Sequence, residues 1–171
     1  MIISNSSPLI CISKIGQLDL LQKLYEEVLI PGAVYQEVVV DGNRLHKAGV
    51  KAIENAIRSE WIKVVSLESE GLANAEKYRT SGEIGKGEAE AIALAQRLKL
   101  RIILDDKYAR ELANLLGLGF QGTAAVLLEA FFAGLLGRND FIVSLRELAK
   151  VMWLSPEVIA EILRLSEVTR K

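Results

Sequence analysis

Short apolar runs alternate with amphipathic segments along the chain, and this alternation predicts an α/β fold. Strands are expected at residues 1–5, 28–30, 62–65 and 101–104, with a short fifth strand around Phe120. Helical periodicity predicts helices at residues 9–15, 18–24, 33–40, 45–57, 72–78, 88–98, 107–116 and 123–135, and two amphipathic helices at 141–153 and 156–165. Buried strands joined by helical crossovers need cover on both faces, so the pattern favours a doubly wound, short parallel sheet in three α/β/α layers, with C-terminal helices.

Turn-forming residues suggest where these elements begin and end. Ser7 followed by Pro8 predicts an N-cap and the first residue of a helix. The sequence Asp41-Gly42-Asn43 predicts a turn, and residues 80–82 and 85–87 predict a flexible loop before the helix at 88–98.

The length of 171 residues and the mass of 18.8 kDa suit one domain, expected to span residues 1–171. The longest apolar run, residues 123–136, is interrupted by Glu129 and is shorter than the roughly 18 residues that a membrane span needs. The first residues lack the basic and apolar segments of a signal peptide. We therefore expect a cytoplasmic protein with no membrane segment.

The net charge and the counts of cysteine and histidine exclude several kinds of binding site. The 21 basic and 22 acidic residues give a net charge of −1, which excludes a protein that coats nucleic acid by bulk attraction but allows a local basic patch. Because Cys11 and His46 are the only residues of their types, a cysteine zinc cage and a multi-histidine site are excluded. Carboxylates would have to hold any metal ion, which favours Mg²⁺ or Mn²⁺.

Polar side chains follow two of the predicted strands. Ser4 and Asn5 end the first strand, and Asp105 and Asp106 follow the fourth. Ligands of open parallel sheets bind beyond the carboxyl ends of the strands, where a divalent ion would relieve the repulsion between adjacent carboxylates. Alternatively, Asp106 only caps the helix that follows it.

Three glutamates are candidate metal ligands only when they are considered together with the other acids. Glu88, or less favourably Glu90, could face the crevice as a metal ligand, but a carboxylate in a first helical turn is also favoured by the helix dipole. Glu37 lies on a predicted helix, where an isolated acid is usually solvent-exposed.

The same segments carry candidate phosphate contacts. Residues 4–7 could hold a phosphate at a helix N-terminus or could form an ordinary capping loop. Lys86, Lys107 and Arg110 flank the acids in sequence and could neutralise phosphates, although surface exposure is the ordinary role of such residues.

Five segments in a fixed order resemble a known family. They are I-I-S-N-S-S-P-L-I, L-I-P-G-A-V-Y-Q-E-V, G-K-G-E-A-E-A-I-A-L-A, I-I-L-D-D-K-Y-A-R and G-T-A-A-V-L-L-E-A. Together they resemble the PIN-domain family, and more narrowly its prokaryotic branch of predicted nucleic-acid-binding proteins, from residue 2 to about residue 165.

The resemblance implies a doubly wound α/β/α fold and a cluster of acids that binds Mg²⁺ or Mn²⁺ and cleaves single-stranded RNA. It also implies the toxin half of a toxin–antitoxin pair, with an antitoxin protein and a second copy of the chain as partners. Matched by motif, the metal-binding and catalytic positions fall on Asn5, Glu37, Glu88 and Asp106, with Asp105 beside the last. Ser6 or Ser7 would orient a phosphate or a water molecule. The implied reaction is metal-assisted hydrolysis of a phosphodiester.

Asn5 departs from the family pattern, which has aspartate at this position. Asparagine keeps an oxygen ligand but removes one negative charge, so metal binding is expected to be weaker. Two further hypotheses therefore stay open beside the ribonuclease. One is a PIN-like module that binds RNA or protein without cleavage, and the other is a binder of small phosphate compounds or nucleotides that uses residues 4–7.

Overall fold

The computed structural model describes residues 1–168, which contain a five-stranded, all-parallel sheet. The strands are β1 (Ile2–Ser4), β2 (Val28–Pro31), β3 (Ile62–Val65), β4 (Ile102–Ile103) and β5 (Phe120–Gln121), in the spatial order β3-β2-β1-β4-β5. Ile3 of the central strand pairs with Leu29 on one side and with Ile102 on the other. The chain runs outward from β1 to β3 and then returns to the other side of β1. The topological switch point therefore lies between β1 and β4.

Helices fill the connections between strands and follow the last strand. They are α1 (Ser6–Lys14), α2 (Asp19–Tyr25), α3 (Gly32–Tyr35), a π-helical turn (Gln36–Val40), α4 (Asp41–Arg44), α5 (Val50–Arg58), α6 (Ser69–Gly82), α7 (Lys86–Leu98), α8 (Lys107–Leu115), α9 (Thr123–Phe132), α10 (Arg138–Val151) and α11 (Pro156–Val168). Within residues 1–168, no helix combines the length and the apolar character that crossing a membrane requires.

The sheet lies between two helical layers, as the sequence predicts. Successive strand residues point to opposite faces, so Ile2 and Ile3 enter different cores. Ile2 packs with residues of α1, α2 and α5, whereas Ile3 packs with residues of α7 and α8. A third core joins α9, α10 and α11, where Phe141 stacks on Phe131 with ring centroids 5.0 Å apart. The predicted three-layer α/β/α architecture with C-terminal helices is confirmed.

The helical segment after β2 is longer than predicted. The helix expected at residues 33–40 runs from α3 through the π-helical turn into α4, so the turn predicted at Asp41-Gly42-Asn43 is wrong. Gly42 is buried, and a Cβ there would lie 2.8 Å from a methyl carbon of Val50. Tertiary packing therefore overrides the turn-forming preference of these residues. The next helix starts at Val50 rather than at residue 45, because Gly49 has φ +88° and ends the irregular segment before α5.

Other boundaries also differ from prediction, and the loop expected at residues 85–87 already contains the first two residues of α7. α1 begins at Ser6 with Asn5 as its N-cap, so Ser7 is not the N-cap and Pro8 occupies the third helical position. That position also lacks an intrahelical acceptor for its amide, so proline fits there. The loop predicted at residues 80–82 belongs to α6, where the hydroxyls of Thr80 and Ser81 donate to carbonyls one turn earlier.

Candidate active site

The predicted site residues lie at the carboxyl edge of the sheet, around the switch point. Asn5 follows β1, and Asp105 and Asp106 follow the neighbouring strand β4. Glu37 lies in the π-helical turn after β2, and Glu88 lies in the first turn of α7. Open parallel sheets bind ligands in a crevice at this edge, so the candidate acids all lie on the edge of the sheet where a ligand site is expected.

Asn5 is the most unusual polar residue of the crevice. It is 1% exposed and occupies the N-cap position of α1, yet its side chain turns away from the α1 amides towards Glu88. Asn5 Nδ2 donates to Glu88 Oε1 at 3.1 Å, whereas Asn5 Oδ1 is buried and accepts no hydrogen bond from any residue between 1 and 168. Leaving a buried carbonyl oxygen unpaired costs about 1–3 kcal/mol, so this oxygen is available to a ligand.

The Glu37 carboxylate is held close to Asn5. Ser6 Oγ donates to Glu37 Oε2, and the Gly87 N–H donates to Glu37 Oε1 at 3.2 Å. A Cβ on residue 87 would lie 2.6 Å from Glu37 Oε2, so the close approach requires glycine. Asn5 and Glu88 form one hydrogen-bonded pair, and their chain neighbours Ser6 and Gly87 both bond Glu37; these five residues are here called the β1 cluster.

Asp105 belongs to a second set of contacts. Its Oδ1 accepts from the Thr123 N–H at 2.9 Å, and its Oδ2 accepts from Thr123 Oγ1 at 2.5 Å. Arg110 Nη2 lies 3.6 Å from Asp105 Oδ1, and Arg110 Nε donates to the Leu104 carbonyl at 2.7 Å. Asp105, Asp106, Arg110 and Thr123 are here called the β4 cluster. The Asp105 carboxylate is therefore fixed at the N-terminus of α9.

Asp106 has the structural role that the sequence left open. It is the N-cap of α8, and its Oδ1 accepts from the Ala109 N–H at 2.8 Å. The residue is solvent-exposed. The capping bond uses only one oxygen of the Asp106 carboxylate, so a role in ligand binding is compatible with it.

The structure divides the predicted ligand set between the two clusters. Asn5, Glu37 and Glu88 belong to the β1 cluster, and Asp105 and Asp106 belong to the β4 cluster. Across residues 1–168, no three Asp, Glu, His or Cys side chains converge closely enough to hold a metal ion. The donors around the crevice are amide, carboxylate and hydroxyl oxygens, which is the chemistry that hard cations prefer.

The predicted phosphate contacts differ in how firmly they are held. Lys86 Nζ and Lys107 Nζ lie 3.9 and 3.8 Å from glutamates on their own helices, with side chains 72% and 80% exposed. Arg110 is instead engaged by Asp105 and by a backbone carbonyl. The two lysines are therefore exposed and only loosely paired, whereas Arg110 is held beside Asp105.

The serine loop is largely engaged within the protein. Ser4 Oγ donates to the Asn5 carbonyl at 3.0 Å, and Ser6 Oγ binds Glu37. Ser7 is half-buried and contacts Cys11. Burial raises the pKa of the Cys11 thiol, the hydrogen bond with Ser7 lowers it, and the nearby Asp105 carboxylate raises it again. The Asp105 carboxylate is thus close enough to Cys11 of α1 to raise the pKa of its thiol.

Two residues of this region received no role from the sequence, and a third was the less favoured candidate ligand. Thr123 fixes Asp105, and Gly87 binds Glu37. Glu90, considered as a ligand, is 6% exposed, and its Oε2 accepts from the Ala33 N–H at 2.9 Å. The sequence does show a glycine before Glu88 and a Gly-Thr pair at the start of α9. The residues they contact are distant in sequence, so no local pattern indicates these contacts.

A family model described as a PIN domain matches residues 1–168 of the chain. The match covers the strands of the sheet together with the β1 and β4 clusters. A search of curated proteins finds no match to the sequence.

Proposed function

The chain belongs to the PIN-domain family, whose members are in general metal-dependent nucleases, and from this premise we propose that it is an endoribonuclease that cleaves single-stranded RNA. One observation carries the proposal. Asn5 Oδ1 is buried at the switch point of the sheet and is unpaired within residues 1–168, beside the carboxylate of Glu88. This oxygen and the neighbouring carboxylate are donors of the type that a hard cation prefers.

The residues around the crevice fit Mg²⁺ or Mn²⁺ by donor type. The oxygens of Asn5, Glu37, Glu88, Asp105 and Asp106 are the candidate ligands, and binding one ion would have to draw the two clusters together, since no three acids converge within residues 1–168. The amide of Asn5 stands where the family has a carboxylate. When bound, the ion would lower the pKa of a water molecule and stabilise charge on the phosphoryl oxygens. The protein supplies preorganisation, because Asn5 orients Glu88 while Ser6 and Gly87 orient Glu37.

The rim of the crevice supports binding of a polyanion. Lys86 and Lys107 are exposed at the starts of α7 and α8, the helices that begin beside Glu88 and Asp106. Two exposed ammonium groups near this edge would contact phosphates without reading the base sequence. A single strand suits such an open crevice because its backbone is splayed and accessible.

The biological setting is also part of the proposal. Family resemblance supports a toxin role in the cytoplasm, with an antitoxin protein as partner and a homodimer as the working form. A small reading frame next to the gene would add support for an antitoxin.

Cleavage of a labelled single-stranded RNA with Mn²⁺, Mg²⁺ or EDTA tests the proposal. We expect cleavage that needs metal and that falls about 100-fold or more in Glu88→Gln and Asp106→Asn. Asp106→Asn suits this purpose because asparagine caps a helix as well as aspartate does. Glu111→Gln is the matched control, since it removes one charge from an exposed position of α8. Metal-independent cleavage, or equal loss in Glu111→Gln, would contradict the proposal.

A second candidate function is binding of RNA or protein without cleavage. The neutral Asn5 and the lack of three converging acids within residues 1–168 favour it. This alternative predicts that the folded protein binds RNA while Mn²⁺ changes neither its thermal stability nor the RNA. Metal-dependent cleavage by the wild type would exclude it.

A further inference from the structure

Two glutamates exchange hydrogen bonds between the helical segment after β2 and helix α7. Glu37 Oε1 accepts from the N–H of Gly87, the second residue of α7. In the opposite direction, Glu90 Oε2 accepts from the N–H of Ala33, the second residue of α3. Each segment therefore supplies a carboxylate to an N-terminal amide of the other.

The exchange compensates for the residues at the two N-cap positions. α3 is preceded by Pro31 and α7 by Gly85, and neither residue has a side-chain oxygen that could cap a helix. The first amides of a helix have no intrahelical acceptor, and a carboxylate at this end is also favoured by the helix dipole. The distant glutamates take over the role that serine or aspartate usually has.

We infer that Glu90 is a positioning residue for Glu37 and not a metal ligand. Glu90 is 6% exposed, one of its oxygens bonds Ala33, and the other lies 3.9 Å from Lys86 Nζ. Its carboxylate is thus directed at the start of the segment that carries Glu37. Only the expected effect of Glu90 on metal binding rests on the proposed function, because the hydrogen bond between Glu90 and Ala33 belongs to the fold itself.

Glu37 needs such support because of where it lies. It is the second residue of the π-helical turn, whose hydrogen-bond pattern differs from that of the α-helical turns around it. On the C-terminal side, Val38 and Val39 are buried in the core. On the N-terminal side, the bond between Glu90 and Ala33 holds α3 against α7. Glu37 is therefore fixed from both sides.

The test compares Glu90→Ala, Glu90→Asp and Glu90→Gln in the full chain, with Mn²⁺ as the probe. Mn²⁺ affinity is measured by electron paramagnetic resonance, and amide hydrogen exchange is followed at Gly87, whose N–H bonds Glu37. We expect Glu90→Ala to weaken Mn²⁺ binding about tenfold and to speed exchange at Gly87. Glu90→Asp should act in the same way, because its shorter side chain keeps the charge but loses the reach to Ala33. This variant also serves if Glu90→Ala fails to fold.

Glu90→Gln should stay close to the wild type, because an amide oxygen can still accept from the Ala33 N–H. The control Glu111→Ala removes an exposed glutamate and should change neither the Mn²⁺ affinity nor the exchange rate at Gly87. Equal weakening by Glu90→Gln and Glu90→Ala would show that Glu90 is a ligand and overturn the inference. Unchanged exchange at Gly87, or faster exchange with unchanged Mn²⁺ affinity, would overturn it as well.

Failure of the proposed function gives a different result. If the wild type binds no Mn²⁺, the nuclease proposal fails, and with it the effect of Glu90 on metal binding. Exchange at Gly87 in Glu90→Asp still decides whether Glu90 positions Glu37.

Discussion

Two strand–helix junctions at the carboxyl edge of the sheet occupy similar positions but use their polar residues differently. Asn5 joins β1 to α1 and Asp106 leads from β4 into α8, and both are N-caps with extended backbone. Asp106 accepts from an amide of its own helix at 2.8 Å. Asn5 instead donates to Glu88, 83 positions along the chain, and its Oδ1 is unpaired across the described residues 1–168.

The Asp106 side chain therefore stabilises its own helix, whereas the Asn5 side chain bonds Glu88 and gives α1 no cap. A side-chain N-cap stabilises a helix by about 1 kcal/mol, and the β1 junction forgoes this gain. It also carries a buried oxygen without a protein partner, which native interiors rarely tolerate. Such local losses of stability are typical of functional sites. The comparison therefore favours the β1 cluster as the centre of the proposed site.

The largest expected effect comes from Asn5→Asp. Without metal, a carboxylate at residue 5 would face the Glu88 carboxylate across the present 3.1 Å contact, so stability should fall. With Mn²⁺ the added charge should raise the affinity about tenfold or more. Thermal unfolding with and without Mn²⁺, together with calorimetric titration, measures both changes.

The double variant Asn5→Asp, Glu88→Gln is the control for this prediction. It restores an amide–carboxylate pair with donor and acceptor exchanged, so the stability of the metal-free protein should return towards that of the wild type. If Asn5→Asp altered neither stability nor Mn²⁺ affinity, Asn5 would have no special place in the crevice and the comparison would fail.

An intermediate effect is expected at the other junction. Asp106→Ala removes the cap of α8 and should lower the free energy of unfolding by about 1 kcal/mol. Asp106→Asn should leave it nearly unchanged, because asparagine caps equally well. Urea unfolding of the metal-free variants distinguishes the two. A similar loss in both variants would show that charge, and not capping, is what Asp106 contributes to stability.

A polar cluster around Tyr25 is a reference, because it shares no side-chain hydrogen bond with the β1 or β4 cluster. The Tyr25 hydroxyl, just before β2, donates to Glu129 Oε2 at 2.5 Å and accepts from Gln121 Nε2 at 2.7 Å. Burial raises the pKa of Tyr25, and the Glu129 carboxylate raises it further. The folded state therefore keeps the phenol protonated above the ordinary pKa of about 10.

The smallest effect is expected from Tyr25→Phe. At pH 7 it should lower the free energy of unfolding by about 1 kcal/mol, through the lost hydrogen bonds, and leave the response to Mn²⁺ unchanged. Above about pH 10 the unfolded wild type releases the Tyr25 proton while the folded form retains it, so wild-type stability falls with rising pH. The difference in the free energy of unfolding between the wild type and Tyr25→Phe should therefore become smaller. Urea unfolding between pH 7 and 11 measures it, and a constant difference would contradict the raised pKa.

Sequence patterns were most informative where local physical chemistry decides. The apolar runs located the strands, and Gly117, with φ +68°, follows α8 as a helix-ending glycine should. The patterns failed at the segment after β2. There, burial of Val38, Val39 and Gly42 keeps the chain helical through a sequence that otherwise favours a turn. Turn-forming preferences are weak, and packing can exceed them.

By itself, the sequence determined where the strands lie, that helices connect them, and that Asn5, Asp105 and Asp106 follow two of the strands. These features depend on the alternation of side chains along a strand and on helical periodicity, which are properties of neighbouring residues. Only the tertiary structure decided that Glu37 meets Gly87, 50 positions away, and that Glu90 turns to Ala33 and not into the crevice. Such contacts depend on how helices dock across the sheet, and no local pattern in the chain encodes that docking.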